Sequence, residues 1–180
     1  MTVPNLISLF RLFLVPLIVW LIIEHNLLWA FWVFVIAGAS DAVDGLIARH
    51  LGGASELGAY LDPLADKALL VTIYVCLAIV GELPAWLVIA VVSRDILIVG
   101  AVILSWTLAR PVTIRPLMVS KANTVAQIVL ASMVLGSHAF AVPLGATKVL
   151  MVGLTGLLTV ISTGAYLMEW IRHMAAEPHR

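Results

Sequence analysis

Six apolar runs, each long enough to cross a bilayer as a helix, take up most of this chain: residues 6–23, 28–48, 57–80, 84–108, 122–142 and 147–171. A hydrocarbon core about 30 Å thick calls for about 20 helical residues, and every one of these runs approaches or exceeds that length. Of the 180 residues 63% are hydrophobic and only 11% charged, with a mean hydropathy of +1.13, far from the composition of soluble domains. The expected fold is an all-α integral membrane protein, a bundle of six transmembrane helices in which residues 1–180 form a single membrane domain. No secretory or transit pattern precedes Pro4, so the first run is expected to be structural.

Charge bounds the partners. The formal net charge is zero, which argues against nucleic acid, and the lone Cys76 sits inside an apolar run, where packing is its expected role. Arg49, Arg110, Arg115, Lys121, Arg172 and Arg180 fall on loops or ends of one side of the predicted bundle, against Lys148 on the other. The positive-inside rule then places both termini on the cytoplasmic side. The connections are short, "EHN" and "GELP" among them, and the basic loop "LARPVTIRPLMVSK" is broken by Pro111 and Pro116.

Against this apolar background the stretch "SDAVDGLIARHLGGASELGAYLDPLADK", residues 40–67, stands apart because it holds four aspartates. On a helix Asp41, Asp44, Gly45 and Ala48 share one face at i, i+3, i+4 and i+7, while Gly58, Asp62 and Asp66 recur every four residues on the next segment. The polar connection "HLGGASE" turns the chain back, with Ser55 as a candidate N-cap and Pro63 expected to kink the helix it enters. The two acid stripes then converge near the cytoplasmic end. Unpartnered carboxylates there would cost about 2.5 to 3.5 kcal/mol each on insertion scales. No His or Cys joins them, so the set is all oxygen and suits hard divalent ions, Mg²⁺ or Mn²⁺, with two ions able to neutralise four charges. Gly45 leaves room for close approach, and Arg49 is placed for bidentate contacts to a phosphate. Metal ions, a guanidinium and clearance together point to a diphosphate substrate.

The residues "DAVDGLIARHLGGASELGAYLDPLAD" read D-x₂-D-G-x₂-A-R-x₈-G-x₃-D-x₃-D, and this pattern resembles the signature of the CDP-alcohol phosphatidyltransferases at every fixed position. The resemblance implies transfer of a substituted phosphate from a CDP-linked donor to a hydroxyl, with release of CMP. It also implies that Asp41, Asp44, Asp62 and Asp66 are metal ligands, that Asp66 doubles as the general base, and that Gly45, Ala48, Arg49 and Gly58 line the CDP site. Three further stretches, "TVPNLISLFRLFLVPLIVWLI", "VVSRDILIVGAVI" and "MVSKANTVAQI", are similar to the CMP-forming, cardiolipin-synthesising branch of that family. That branch implies CDP-diacylglycerol as donor and phosphatidylglycerol as acceptor; the expected setting is a bacterial inner membrane, among membrane lipids, with a homodimer as the candidate assembly. Glycerol 3-phosphate, the acceptor of phosphatidylglycerophosphate synthases, is the alternative.

A lipid acceptor brings its own phosphate, for which Arg94, Arg115 and Lys121 are the candidate ligands; Arg94 and Asp95 lie inside an apolar run, where ionisable residues are rare and mostly functional. Pairing with Asp95 is the competing role for Arg94. Arg11 is a further candidate for contact with the donor phosphate or with lipid headgroups, Lys67 points off the acid stripe, and the five histidines lack metal-ligand spacing. A divalent cation transporter is the remote alternative from another class, disfavoured because the acids cluster at one end of the spans instead of along a pathway.

Overall fold

The computed structural model describes the backbone of residues 3–51, 56–107 and 117–175, with side chains described at 9–40, 67–101, 103–105, 107 and 117–175. Six helices follow one another: α1 (Val3–Ile23), α2 (Leu27–Leu51), α3 (Glu56–Ile79), α4 (Ala85–Thr107), α5 (Met118–Ala139) and α6 (Ala146–Ala175). No strand occurs among the described residues. Each of the six predicted runs is a helix, and no boundary differs from the expected one by more than four residues.

The expectation of six spans is met only in part. Among the described residues three stretches are long and apolar enough to cross a membrane: Ala85–Ser105, Met118–Ala139 and Ala146–Ala175. In the first three helices the described apolar stretches, Leu9–Ile23, Leu27–Ser40 and Lys67–Ile79, are shorter. In these helices the described side chains cover only part of the length, beginning at Leu9 in α1, ending at Ser40 in α2 and beginning at Lys67 in α3.

Three helices end by one device. The second residue beyond the helix takes a left-handed conformation, and the next amide reaches back to the carbonyl five residues earlier, the Schellman arrangement that satisfies an orphaned carbonyl. After α1 the pivot is His25 (φ 56°), with the Asn26 amide donating to Leu21 O at 2.8 Å. After α3 it is Gly81 (φ 81°), with Glu82 donating to Leu77 O at 2.7 Å, and after α5 it is Ala141 (φ 53°), with Val142 donating to Ser137 O at 2.9 Å. The predicted short connections "EHN" and "GELP" are thus the first two of these caps. The expected N-cap Ser55 lies outside the described residues, as does the side chain of Pro63.

The chain divides into two compact units. One comprises Met1–Pro84 with Ala131–Gly145, the other Ala85–Leu130 with Ala146–Arg180, so α5 contributes to both. In the first unit α1 packs on α2 and on α3, and Ile18, Ile22, Ala30, Ala37, Ile73, Tyr74 and Leu77 are buried. Phe31 meets Phe140 edge to face at 5.4 Å, close over Gly136. His138, in the last turn of α5, pairs with Glu82 at 2.8 Å, a contact the scattered histidines gave no reason to expect.

The second unit is built on α4 against α6. Leu87 and Val91 are buried in it, and Gly156 lies so close under the Trp86 indole that a Cβ there would stand 2.7 Å from the ring. A small residue is what lets two helices approach this far when apolar surroundings give no hydrophobic drive for association.

Candidate functional site

Two helices carry the acids. Asp41, Asp44, Gly45, Ala48 and Arg49 belong to α2, and Gly58, Asp62 and Asp66 to α3, so the helical register on which the two stripes depend is present in both backbones. Spacings of three and four residues on a continuous helix put the members of each stripe on one face. The side chains of all eight lie outside the described residues. Among the described residues no three His, Cys, Asp or Glu side chains come together. The donor chemistry of the acid set itself, four carboxylates with no nitrogen or sulfur ligand, fits a hard divalent cation.

The predicted phosphate ligands differ in their settings. Arg115 lies outside the described residues. Lys121, in the first turn of α5, is exposed and available to an anion. Arg94 is 2% exposed on α4 and is held on several sides. Its Nη1 donates to Asp95 Oδ1 at 2.5 Å, while Nη2 donates to Ser120 Oγ on α5 and to Ser162 Oγ on α6 at 3.1 Å. The guanidinium also stands 5.7 Å from the centroid of the Tyr166 ring, within cation–π range. Pairing with Asp95, the competing role raised from the sequence, is therefore present. The terminal nitrogens on which a bidentate phosphate contact would depend are engaged by protein groups. Arg94 Nε has no hydrogen-bond partner among the described residues. Arg11 is likewise buried, at 1% exposure, so it does not lie out among headgroups.

Around Arg94 the second unit holds a buried polar seam that sequence reasoning passed over. Ser120, Asn123 and Gln127 recur on α5 at i, i+3 and i+7, and Thr155, Thr159 and Ser162 on α6 at i, i+4 and i+7. Asn123, Gln127, Thr155, Thr159 and Ser162 are all at most 1% exposed. Thr159 Oγ1 lies 2.9 Å from Asn123 Oδ1, to which it donates, and Trp170 Nε1 donates to Ser105 Oγ at 2.9 Å. Burying so many polar groups costs free energy unless they are mutually satisfied. The signal was present as polar residues at helical spacing inside apolar runs, but their partners are 36 and 65 residues away in sequence.

Comparison with known proteins bears on the same segments. The sequence profile of the CDP-alcohol phosphatidyltransferases matches residues 1–165. The chain is 36% identical over 155 residues to a human protein named cardiolipin synthase (CMP-forming), an alignment covering 77% of this chain and 52% of that one. It is 39% identical over 108 residues to a putative cardiolipin synthase of Mycobacterium tuberculosis, covering 59% and 52% of the two chains. A chloroplastic CDP-diacylglycerol–glycerol-3-phosphate 3-phosphatidyltransferase of Oryza sativa is 36% identical over 147 residues, 72% of this chain and 45% of the other. The matches thus span about half the length of these relatives. With a profile match running through both acid-bearing helices and on into α6, the chain belongs to the CDP-alcohol phosphatidyltransferase family.

Proposed function

We propose that this chain transfers a phosphatidyl group from CDP-diacylglycerol to a hydroxyl of phosphatidylglycerol, forming cardiolipin and releasing CMP. The observation that carries the reading is the eight-residue pattern from Asp41 to Asp66, set on two successive helices in a chain whose relatives include proteins named cardiolipin synthase (CMP-forming). The acceptor oxygen forms a new bond to the donor phosphorus that bears the diacylglycerol, the bond from that phosphorus to the CMP oxygen breaks, and the hydroxyl proton is left to be taken up.

In this reading Asp41, Asp44, Asp62 and Asp66 hold two divalent cations, Mg²⁺ or Mn²⁺. When bound, these would neutralise the diphosphate and the charge developing on the leaving oxygen. Gly45, Ala48 and Gly58 leave space for the nucleotide, and the Arg49 guanidinium binds a donor phosphate oxygen. Asp66 takes the acceptor hydroxyl proton on its carboxylate oxygen. Arg94 Nε, Arg115 and Lys121 supply cationic donors for the acceptor's phosphodiester; because Arg94 is anchored by Asp95, Ser120 and Ser162, its contribution is a fixed charge more than a bidentate grip.

The same reading takes all six helices as spans, with α2 and α3 completing the bilayer crossing through their acid-bearing ends, both termini and the site cytoplasmic, and the bacterial inner membrane as setting. Glycerol 3-phosphate remains the second acceptor to test, because the Oryza sativa relative carries that substrate in its name. Purified protein is incubated with CDP-diacylglycerol and each acceptor separately, and the lipid product is identified by mass. Cardiolipin with phosphatidylglycerol is the expected product. Phosphatidylglycerophosphate from glycerol 3-phosphate alone would transfer the chain to the alternative, and absence of CMP release with either would overturn the enzyme reading.

A further inference from the structure

The polar seam between α5 and α6 lies within the second unit and keeps a regular register. Asn123 meets Thr159 at 2.9 Å, and three residues away along each helix Ser120 and Ser162 share Arg94 Nη2. Antiparallel helices that match at both of these levels also match four residues on in the other direction, which sets Thr155 of α6 level with Gln127 of α5. Towards that end two polar groups are left over. Thr155 Oγ1 and Asn123 Nδ2 are fully buried and have no hydrogen-bond partner among the described residues. A threonine inside a helix can satisfy its hydroxyl locally, by donating to the carbonyl four residues back. Two others on the same face do so, Thr159 to Thr155 O at 2.8 Å and Thr163 to Thr159 O at 2.7 Å. Thr155 forgoes that bond, so its hydroxyl is kept for a group off its own helix. For Asn123 the limit is the supply of hydrogens. Thr159 Oγ1 has one, shared between Thr155 O and the amide, and whichever way the amide is turned only one of its two polar atoms faces Thr159.

We propose that one ordered water molecule is bound between the Asn123 amide and the Thr155 hydroxyl and closes the seam. Leaving both groups without a partner forfeits the full desolvation cost of each, and both helices are of membrane-spanning apolarity, so no bulk solvent is at hand to answer them. Four residues of helix rise about 6 Å, which is the step along α6 from Thr159, in contact with Asn123, to Thr155. A water hydrogen-bonded at about 2.8 Å on either side spans nearly that distance. Water both donates and accepts, so it answers the remaining amide atom in either orientation and the hydroxyl as well. A cation in the same place is disfavoured. Ser120, Asn123, Gln127, Thr155, Thr159 and Ser162 are all uncharged, and the charge at the other end of the seam is the Arg94 guanidinium, which Asp95 already neutralises. An apolar guest would leave both polar groups unanswered. Neither the acids nor a substrate enters this site, so it goes beyond the transferase reading and its test involves no turnover.

The full chain, carrying ¹³C,¹⁵N-labelled asparagine, is reconstituted in phosphatidylcholine bilayers, and magnetisation is transferred from water protons to the side-chain amides by solid-state NMR. The chain has three asparagines, Asn5, Asn26 and Asn123, so Asn5→Gln and Asn26→Gln identify the Asn123 signal by elimination. Transfer from water to the Asn123 amide is expected although the residue is fully buried. Thr155→Val keeps the shape and removes the hydroxyl, and should lose most of that transfer; Thr155→Ser keeps the hydroxyl and should retain it. Stability gives an independent reading. A bound water that loses a partner leaves the Asn123 amide poorly answered, so Thr155→Val should lower the thermal midpoint by about 2 to 4 °C, with Thr155→Ser close to wild type. Absence of transfer to Asn123 in the wild type, or transfer unchanged by Thr155→Val, would overturn the water site. A rise in midpoint for Thr155→Val would do the same, since it would show a hydroxyl buried with nothing bound to it. An Asn123 signal that moves when sodium chloride is exchanged for choline chloride would replace the water by a monovalent cation.

Discussion

Arg94 shows how one side chain's role depends on what surrounds it. A charge inside a span is costly, and here Asp95, Ser120, Ser162 and the Tyr166 ring offset that cost. Removing it leaves the Asp95 carboxylate without its ion pair, and breaking a buried pair in this way destabilises by roughly 3 kcal/mol. Arg94→Ala should therefore lower the thermal midpoint in detergent, and Arg94→Lys should recover only part of it, because an ammonium cannot reach Asp95 and both hydroxyls in one plane. If Arg94 also serves the acceptor, the lysine variant will raise the acceptor KM more than the donor KM; equal change in both would confine it to structure. The acids make a sharper expectation: Asp41→Asn, Asp44→Asn and Asp62→Asn should each remove more than about nine-tenths of turnover in a folded protein, checked by CMP release beside circular dichroism. Asp66→Asn should resist rescue by excess Mg²⁺ or Mn²⁺, since added metal replaces a ligand's affinity but not a base. The acid pattern was legible in sequence because its eight residues are close in the chain and spaced by helical turns. The anchoring of Arg94 was not, since Ser120 and Ser162 lie 26 and 68 residues away and nothing local points to them.

Helix limits in this chain are set by local chemistry, which is why the apolar runs located all six elements closely. What hydropathy could not give is which faces meet. A helix apolar all round carries no stripe to orient it, and only the sparse polar residues of the α5 and α6 seam and the glycines mark the contacts. The Schellman ends can be tested by exchange. Gly81 at φ 81° accepts a left-handed backbone without strain, whereas Ala141 at φ 53° holds one against its Cβ. Gly81→Ala should destabilise by about 1 kcal/mol, a loss of about 2 to 4 °C in thermal midpoint for a chain of this size, while Ala141→Gly should be neutral or stabilising. A fall with both would mean that Ala141's methyl packs usefully enough to outweigh its strain. Contact of α4 with α6 yields a second comparison: Gly156→Leu must displace the Trp86 ring and should lower stability, and Gly153→Leu, whose Cβ meets open space, should not.

For the whole molecule the open matter is how many of the six helices cross the bilayer. α4, α5 and α6 have the length and apolarity to do so, and α6 with its 30 residues rises about 45 Å, well over the hydrocarbon thickness. The described apolar parts of α1, α2 and α3 cover less, yet α2 and α3 as helices run to 25 and 24 residues, enough to cross if their acid-bearing ends lie at the cytoplasmic headgroup level. Neutralisation of the four carboxylates by bound cations is what would make that placement tolerable. The basic residues favour the same arrangement, with Lys121 and Arg172 on one side and Lys148, in the first turn of α6, on the other. Six crossings put residue 55 on the opposite side of the membrane from residues 26 and 81, whereas three crossings by α4–α6 alone leave all three on one side. Cys76 is buried and can be replaced by Ala to give a background without thiols. Single cysteines at Asn26, Ser55, Gly81, Lys121 and Lys148 are then treated in intact cells with a membrane-impermeant maleimide, before and after permeabilisation. Asn26→Cys, Gly81→Cys and Lys148→Cys should react in intact cells, and Ser55→Cys and Lys121→Cys only after permeabilisation. Reaction of Ser55→Cys from outside together with Gly81→Cys would show that α3 does not cross, and the site would then belong to a half-inserted interfacial domain.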